Sequence, residues 1–251
     1  MAIRVLRLTN SDDFNADIPP EQRAAAIADR ILEAATGQEV KSVARHIWPT
    51  PALPGLIARW VDEHEPDLVF IRIASYWFTY ESVPLKIERA LGPWSRRVTK
   101  VGTRAAESRI IGHNRAFKLL QKGMLRTIGG ATLLTADETV AAAESYLRPI
   151  LAREGAGVVV RGPRTPFGVL RSQAALRKSE ERRQYVNRKL AELCERHHVT
   201  FAPFDSLAEV IEPSQRLVDG VHVNEAGHLL VGAMEGEALV REWKRTHAPV
   251  R

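Results

Sequence analysis

The sequence predicts an α/β protein with three layers, in which helices cover both faces of a parallel β-sheet. Strand-like and helix-like segments alternate along the chain, as in proteins built from β-α-β units. Five segments have strand character. The strongest, residues 67–74, is an almost continuous apolar run, which is typical of a strand buried on both faces. No internal repeat or low-complexity linker interrupts the alternation, so we expect a single domain over residues 1–251.

Prolines mark the limits of the elements in the first half of the chain. Pro19-Pro20 opens a helix with an alanine-rich body, because proline is tolerated in the first helical turn. Pro49 and Pro51 close the second strand, since proline lacks the N–H that a strand ladder requires. The predicted elements are, in order, strand 3–8, helix 20–35, strand 40–48, helix 53–63, strand 67–74 and helix 81–91.

In the second half, Gly162-Pro163 ends the fourth strand, and Asn224 has the side chain of a good N-cap for the last helix. The predicted elements are, in order, helix 136–154, strand 157–161, helix 173–197, strand 199–204, a connection over 205–216 and helix 224–245. The carboxyl ends of parallel strands meet at one edge, where the sites of such folds lie. We therefore expect the segments that follow the strands to form the site.

Composition excludes several classes of protein. Hydrophobic residues make up 45% of the 251 and charged residues 26%, as in globular proteins, and no apolar run approaches the roughly 20 residues of a membrane span. The amino terminus lacks a secretory core, so we expect a cytoplasmic protein. Cys194 is the only cysteine, which excludes an intramolecular disulfide and a cysteine-rich metal site. Without a nucleotide-binding glycine motif or a histidine pair at ligand spacing, we expect neither cofactor nor metal.

Positive charge is concentrated in one segment. The chain carries a net charge of +6, but residues 93–130 contain nine basic residues against one acid, so this segment alone is at +8. Its spacing predicts an amphipathic helix over 110–126. The segment is either a lid, a surface for an anionic ligand such as a lipid headgroup, or an ordinary solvated helix. Nucleic acid is disfavoured, because no groove-reading motif accompanies the charge.

Two short patterns suggest catalytic chemistry. Asp219 and His222 lie three residues apart on a glycine-containing turn before the last helix, where the carboxylate can orient the imidazole and stabilise its cation. Ser11 follows the first strand, where a tight turn can expose its hydroxyl beside backbone N–H groups. Taken alone, Asn10-Ser11-Asp12 is also typical of a turn or an N-cap. Together the three residues give a nucleophile, a base and an orienter.

These patterns resemble those of the SGNH hydrolases, the GDSL family of esterases and lipases. That family has Gly-Asp-Ser after its first strand and Asp-x-x-His before its final helix. This chain has Thr9-Asn10-Ser11 at the first position and Asp219-Gly220-Val221-His222 at the second. The resemblance covers the whole chain and implies a flavodoxin-like strand order. It also implies Ser11 as nucleophile, His222 as general base and Asp219 as its orienter.

The chain departs from this family where the oxyanion hole is completed. The family has a glycine after the second strand and an asparagine after the third. Here Trp48-Pro49-Thr50-Pro51 follows the second strand, and prolines donate no N–H. Ser75 or Tyr76, after the third strand, is a candidate for a hydroxyl donor in place of the asparagine. The candidates for oxyanion or substrate contacts are Asp12, Ser75, Tyr76 and Arg161.

The resemblance implies hydrolysis of a carboxylic ester through an acyl-serine intermediate, with a small-molecule or glycan ester as substrate. Attack by an alcohol in place of water would make the protein an acyltransferase. A non-catalytic domain that binds a glycan, an acyl group or a protein is the alternative, which the altered first triplet and the missing oxyanion residues favour. Arg161 follows the fourth strand's apolar run and is a candidate to hold a carboxylate or phosphate.

Overall fold

The computed structural model describes residues 2–79, 131–164, 173–204 and 222–247. Its five strands form one sheet in the order β2-β1-β3-β4-β5, and every neighbouring pair is parallel. The predicted five-stranded parallel sheet of flavodoxin-like order is therefore confirmed. The strands are β1 Ile3–Thr9, β2 Val40–His46, β3 Leu68–Arg72, β4 Gly157–Arg161 and β5 Thr200–Ala202.

The described helices lie close to the predicted positions, except for a short helix at Tyr76–Thr79, which was not predicted. The first predicted helix is divided, because Arg23 has extended backbone angles between a 3-10 turn and the α-helix. The helices are α1 Ala24–Thr36, α2 Leu53–His64, α3 Tyr76–Thr79, α4 Ala136–Leu151, α5 Gln173–Arg196 and α6 Glu225–His247, with 3-10 turns at Ser11–Phe14 and Pro20–Gln22. In the described part of the chain, no helix is long and apolar enough to cross a membrane.

The chain divides into two compact units. One comprises Met1–Ser75 and Ala136–Arg251, and the other is Tyr76–Thr135. The second unit includes the basic segment, residues 93–130. That segment lies outside the described residues, as do the helix predicted over 81–91 and the connection predicted over 205–216.

Helices α1 and α6 cover one face of the sheet. Their buried residues, such as Leu32 and Leu239, share a core cluster with Val5, Phe70 and Val159 from three strands. Helices α2, α4 and α5 pack side by side, and α2 contacts β1. Because side chains alternate along a strand, Leu6, Val69 and Val158 are buried on the opposite face. Burial on both faces explains the continuous apolar runs in the sequence.

Candidate active site

Ser11 lies at the carboxyl-terminal edge of the sheet, directly after β1. Asn10 has an extended backbone, and the chain then tightens into the 3-10 turn Ser11–Phe14. The Asp13 N–H closes this turn on the Asn10 carbonyl oxygen at 3.2 Å. Asn10 and the Asp13 side chain are buried, whereas Ser11 is exposed. The turn is thus anchored on both sides of a hydroxyl that solvent can reach.

His222 is held at the amino-terminal end of α6. The Asn224 side-chain oxygen accepts a hydrogen bond from the Gly227 N–H at 3.1 Å, which is the N-cap interaction predicted for Asn224. This cap fixes where the helix begins, and His222 precedes it. His222 is half-buried.

The fold brings these two residues together. Ser11 Oγ and His222 Nε2 lie 3.0 Å apart, although 211 positions separate them in the chain. This is within the range expected for a nucleophile and its general base. When the serine hydroxyl donates, Nε2 is the acceptor and can take the proton as Oγ attacks an electrophile. The catalytic roles themselves remain predictions.

The remaining candidate site residues differ in where they lie. Asp219 and the side chain of Asp12 lie outside the described residues, so their roles stay predictions. Ser75 is buried just beyond the carboxyl end of β3. Tyr76 begins α3 in the second unit, where its ring lies edge-on to Trp77. An oxyanion role for Ser75 or Tyr76 also stays a prediction.

Arg161 does not face an open site. Its side chain is 3% exposed, Nη1 donates to Glu235 Oε1 at 2.9 Å, and the guanidinium lies 4.0 Å from the ring centroid of Phe204. Arg161 lies two positions after Val159, which belongs to the core cluster with α6, so its side chain is on the face that α6 covers. The expected substrate contact of Arg161 does not fit this buried, paired position.

Sequence reasoning missed a buried ionic network, which we call the arginine cluster. Its members are Arg7, Arg72 and Arg161 with the acids Asp13, Asp29 and Glu235. Each arginine lies near the carboxyl end of a strand whose residues are mostly apolar. A charged side chain in a strand buried on both faces requires a charged partner, and this signal could have identified the cluster.

Two aromatic side chains are exposed in segments that follow β1 and β2. Phe14, in the turn that carries Ser11, is 44% exposed, and Trp48 is 47% exposed. The Phe14 ring lies edge-on to His46, with ring centroids 5.8 Å apart. Of the two, Phe14 lies in the same turn as Ser11 and is therefore the better placed to contact a ligand there.

Among the described residues, no group of three or more histidine, cysteine, aspartate or glutamate side chains is placed to hold a metal ion. Asp13, the acid two residues after Ser11, is paired with an arginine. Asp13 Oδ1 accepts from Arg72 Nη2 at 3.1 Å.

Several solved structures are similar to this one over nearly the whole chain. A structure of TesA has a TM-score of 0.58 at 13% identity, over 94% of this chain and 97% of that one. An inhibitor-bound aryl esterase from M. smegmatis has a TM-score of 0.54 at 14% identity, over 96% and 99%. An acetylxylan esterase from Geobacillus stearothermophilus, in a catalytic mutant form, has 0.53 at 17% identity, over 96% and 93%.

These structures are SGNH hydrolases, so the chain has the SGNH-hydrolase fold, and the resemblance noted in the sequence is confirmed at the level of the fold. No family model matches the sequence. No curated protein sequence matches it either.

Proposed function

We propose that this protein is a serine hydrolase that cleaves a carboxylic ester through an acyl-serine intermediate on Ser11. The observation that supports this most directly is the 3.0 Å contact between Ser11 Oγ and His222 Nε2. The fold adds support, because structural neighbours include enzymes named as esterases. A serine held only as a turn residue would have no need of an imidazole partner from the far end of the chain.

In the proposed reaction, Ser11 Oγ attacks the ester carbonyl carbon while His222 Nε2 takes the hydroxyl proton. The tetrahedral intermediate collapses when the bond to the alcohol oxygen breaks, and His222 returns the proton to that oxygen. His222 next deprotonates a water molecule, which attacks the acyl-serine and releases the acid and free Ser11. Asp219 orients the imidazole and stabilises its cation during both half-reactions.

The negative charge on the carbonyl oxygen needs hydrogen-bond donors. We assign this task to backbone N–H groups of the Ser11–Phe14 turn other than that of Asp13, which bonds the Asn10 carbonyl oxygen. The Ser75 hydroxyl is an additional candidate. Pro49 and Pro51 offer no N–H where the family has a donor. Since one oxyanion donor is worth about 3 kcal/mol, we expect slower turnover than in an enzyme with a complete set.

The substrate class we propose is a small-molecule or glycan ester. The names of two neighbours specify acetylxylan and aryl esters as the compounds that those proteins act on. In this chain, Phe14 and Trp48 expose aromatic faces that suit an aryl group or a sugar ring equally well. The acyltransferase alternative uses the same residues, with an alcohol in place of the deacylating water.

Labelling with a fluorophosphonate probe tests the proposal. We expect the wild type to label and both Ser11→Ala and His222→Ala to lose labelling. Ser145→Ala is the matched control, because the Ser145 hydroxyl donates only to the Ala142 carbonyl oxygen within α4. Asp219→Asn should label at least about a hundredfold more slowly, because the imidazole then loses its orienting carboxylate.

The second candidate function is a non-catalytic binding domain with the same fold. The observation in its favour is the pair of prolines after β2, which removes an oxyanion donor. A folded wild type that does not label would overturn the hydrolase proposal. Titration with an acetylated xylo-oligosaccharide, followed by tryptophan fluorescence, would then test binding, because Trp48 is exposed at this edge.

A further inference from the structure

The arginine cluster occupies one face of three neighbouring strands. Arg72 and Arg161 are partners in the register between β3 and β4. Arg7 is the register partner of Phe70, which lies two positions before Arg72 and therefore on the same face. On each strand, apolar residues fill this face up to the arginine. The cluster thus lies between the hydrophobic core and the carboxyl-terminal edge that carries Ser11.

Glu235 of α6 is the central acid of the cluster. It is 2% exposed, and its Oε1 accepts hydrogen bonds from Arg72 Nη2 at 2.8 Å and Arg161 Nη1 at 2.9 Å. Its Oε2 lies 3.6 Å from Arg7 Nη1, and Arg7 also pairs with Asp29 of α1. Three cations and three acids balance one another, as buried charges require.

One branch of the cluster leads to the Ser11 turn. Arg72 Nη2 bonds Glu235 and also Asp13 Oδ1, at 3.1 Å. Asp13 lies two residues after Ser11 in the same 3-10 turn, and its side chain is 1% exposed. The Asp13 carbonyl oxygen accepts from Arg23 Nη1 at 3.2 Å. The turn is therefore tied to the sheet by a buried ion pair.

Helix α6 is common to both halves of the candidate site. His222 precedes its first residue, and Glu235 lies ten positions beyond that residue. We propose that Glu235 is a positioning residue, which fixes the Ser11 turn relative to His222 through Arg72 and Asp13. The effect of Glu235 on catalysis rests on the hydrolase function proposed above, whereas its effect on the distance between Ser11 and His222 does not.

A purely structural role would not explain where the cluster lies. Buried ion pairs are often no more stabilising than apolar residues of the same volume, and in some proteins they serve to specify one arrangement. Here the pair that involves Asp13 fixes the segment that must hold Ser11 Oγ 3.0 Å from His222 Nε2.

Glu242 supplies a matched control on the same helix. It is also buried, and it accepts from the Val158 N–H at 2.7 Å, the Thr200 hydroxyl at 2.7 Å and Arg245 Nε at 2.8 Å. Val158 and Thr200 lie near the amino-terminal ends of their strands, at the edge opposite Ser11. Replacing Glu242 should cost stability without disturbing the Ser11 turn.

The test compares Glu235→Gln, Asp13→Asn and Glu242→Gln by two measurements. The first is the ring ¹⁵N resonance of His222 at one fixed pH, assigned with His222→Ala, since it reports the hydrogen bond at Nε2. Ser11→Ala gives the value for the broken contact. We expect Glu235→Gln and Asp13→Asn to move the resonance toward that value, and Glu242→Gln to keep the wild-type position.

The second measurement is the rate of fluorophosphonate labelling, divided into probe affinity and maximal rate. We expect Glu235→Gln and Asp13→Asn to lower the maximal rate about tenfold or more with little change in affinity, and Glu242→Gln to stay within twofold of wild type. If Glu235→Gln does not fold, Asp13→Asn tests the same connection between Arg72 and the Ser11 turn. Asparagine keeps one oxygen acceptor at this position.

The outcomes separate the two proposals. Wild-type resonances and labelling rates in both folded variants would overturn the positioning role and leave the hydrolase proposal standing. If the wild type does not label but the variants shift the His222 resonance, the positioning role holds and the hydrolase proposal fails. Equal effects from Glu242→Gln would show that general destabilisation is the cause, which also overturns the positioning role.

Discussion

His228 Nδ1 accepts a hydrogen bond from the backbone N–H of Ala24 at 3.1 Å. Ala24 is the first residue of α1, where the N–H groups have no intrahelical acceptor. The imidazole comes from the first turn of α6, 204 positions along the chain, and both residues are buried. A side chain of α6 therefore caps α1, and the contact requires the tautomer in which Nδ1 is unprotonated.

We predict that His228→Ala lowers the free energy of unfolding by about 1–2 kcal/mol, because it leaves a buried helix N–H without its acceptor. Urea denaturation measures the change. Leu229→Ala is the control, since this neighbouring side chain is exposed and its loss should cost less than about 0.5 kcal/mol. Equal stability of His228→Ala and wild type would show that this cap contributes nothing.

Two glycines of α6 allow α1 to approach closely. A Cβ at Gly232 would lie 2.6 Å from Ile27 Cβ and 2.8 Å from the Ala24 carbonyl oxygen, and a Cβ at Gly236 would lie 2.8 Å from Ile31 Cβ. Backbone atoms and branched Cβ atoms cannot turn away. Alanine at Gly232 would therefore push the two helices apart.

We predict that Gly232→Ala destabilises the protein by about 2 kcal/mol or more, through overpacking. Gly55→Ala is a matched substitution in α2, where an added Cβ meets nothing within 4 Å. It should stabilise the protein by about 0.5–1 kcal/mol, because alanine loses less entropy than glycine in a helix. Thermal and urea unfolding of both variants measure the difference, and effects of the same sign would contradict this explanation.

The central strands β3 and β4 were predictable because a parallel strand buried on both faces is an apolar run, and residues 157–161 were identified to the residue. The 3-10 turn at Pro20–Gln22 was not predictable, because the start of a helix and a short turn have similar local sequences. The approach of Ser11 to His222 could be predicted from the fold. Ser11 follows β1 and His222 precedes α6, and both positions lie at the carboxyl-terminal edge of the sheet.

Long-range polar partners were not predictable. The sequence shows that Arg161 ends a strand, but which acid neutralises it depends on how α6 crosses the sheet. Similarly, the acceptor role of His228 depends on the position of Ala24 in a distant helix, which the sequence does not show. Because side chains alternate along a strand, Arg161 must lie on the same face of the sheet as Val159. This rule would have predicted that the arginine is covered by a helix.

Phe14 is placed to influence substrate preference. It lies in the Ser11 turn and exposes nearly half of its side chain. We predict that Phe14→Ala raises KM for aryl or sugar esters about fivefold to tenfold, equivalent to roughly 1–1.4 kcal/mol of lost contact. KM for a short methyl ester, which does not reach the ring, should change little.

Steady-state kinetics with the two kinds of ester measure this effect. Leu151→Ala is the control, because Leu151 is also exposed but ends α4, remote in sequence from the Ser11 turn. A proportional loss of kcat on every ester would indicate instead that Phe14 supports the position of Ser11.

Cys194 gives the protein a specific sensitivity to high pH. Its side chain is 1% exposed, and burial raises the pKa of the thiol from an ordinary 9.0 to about 12. The unfolded chain therefore ionises at lower pH than the folded one. The stability that the protonated thiol provides is fully present below pH 9 and is lost as the pH rises toward 12.

We predict that the free energy of unfolding falls between pH 9 and 12, with Cys194 contributing up to about 1.4 kcal/mol per pH unit. Burial also raises the pKa of Tyr146 to about 12, so the measured quantity is the difference between wild type and Cys194→Ala across this range. That difference should be constant below pH 9 and shrink above it, because the variant has no thiol whose ionisation could destabilise the folded state. A constant difference up to pH 11 would mean that the folded thiol ionises normally. Iodoacetamide at pH 8 provides an independent measurement, since the native thiol should react only at the rate of unfolding.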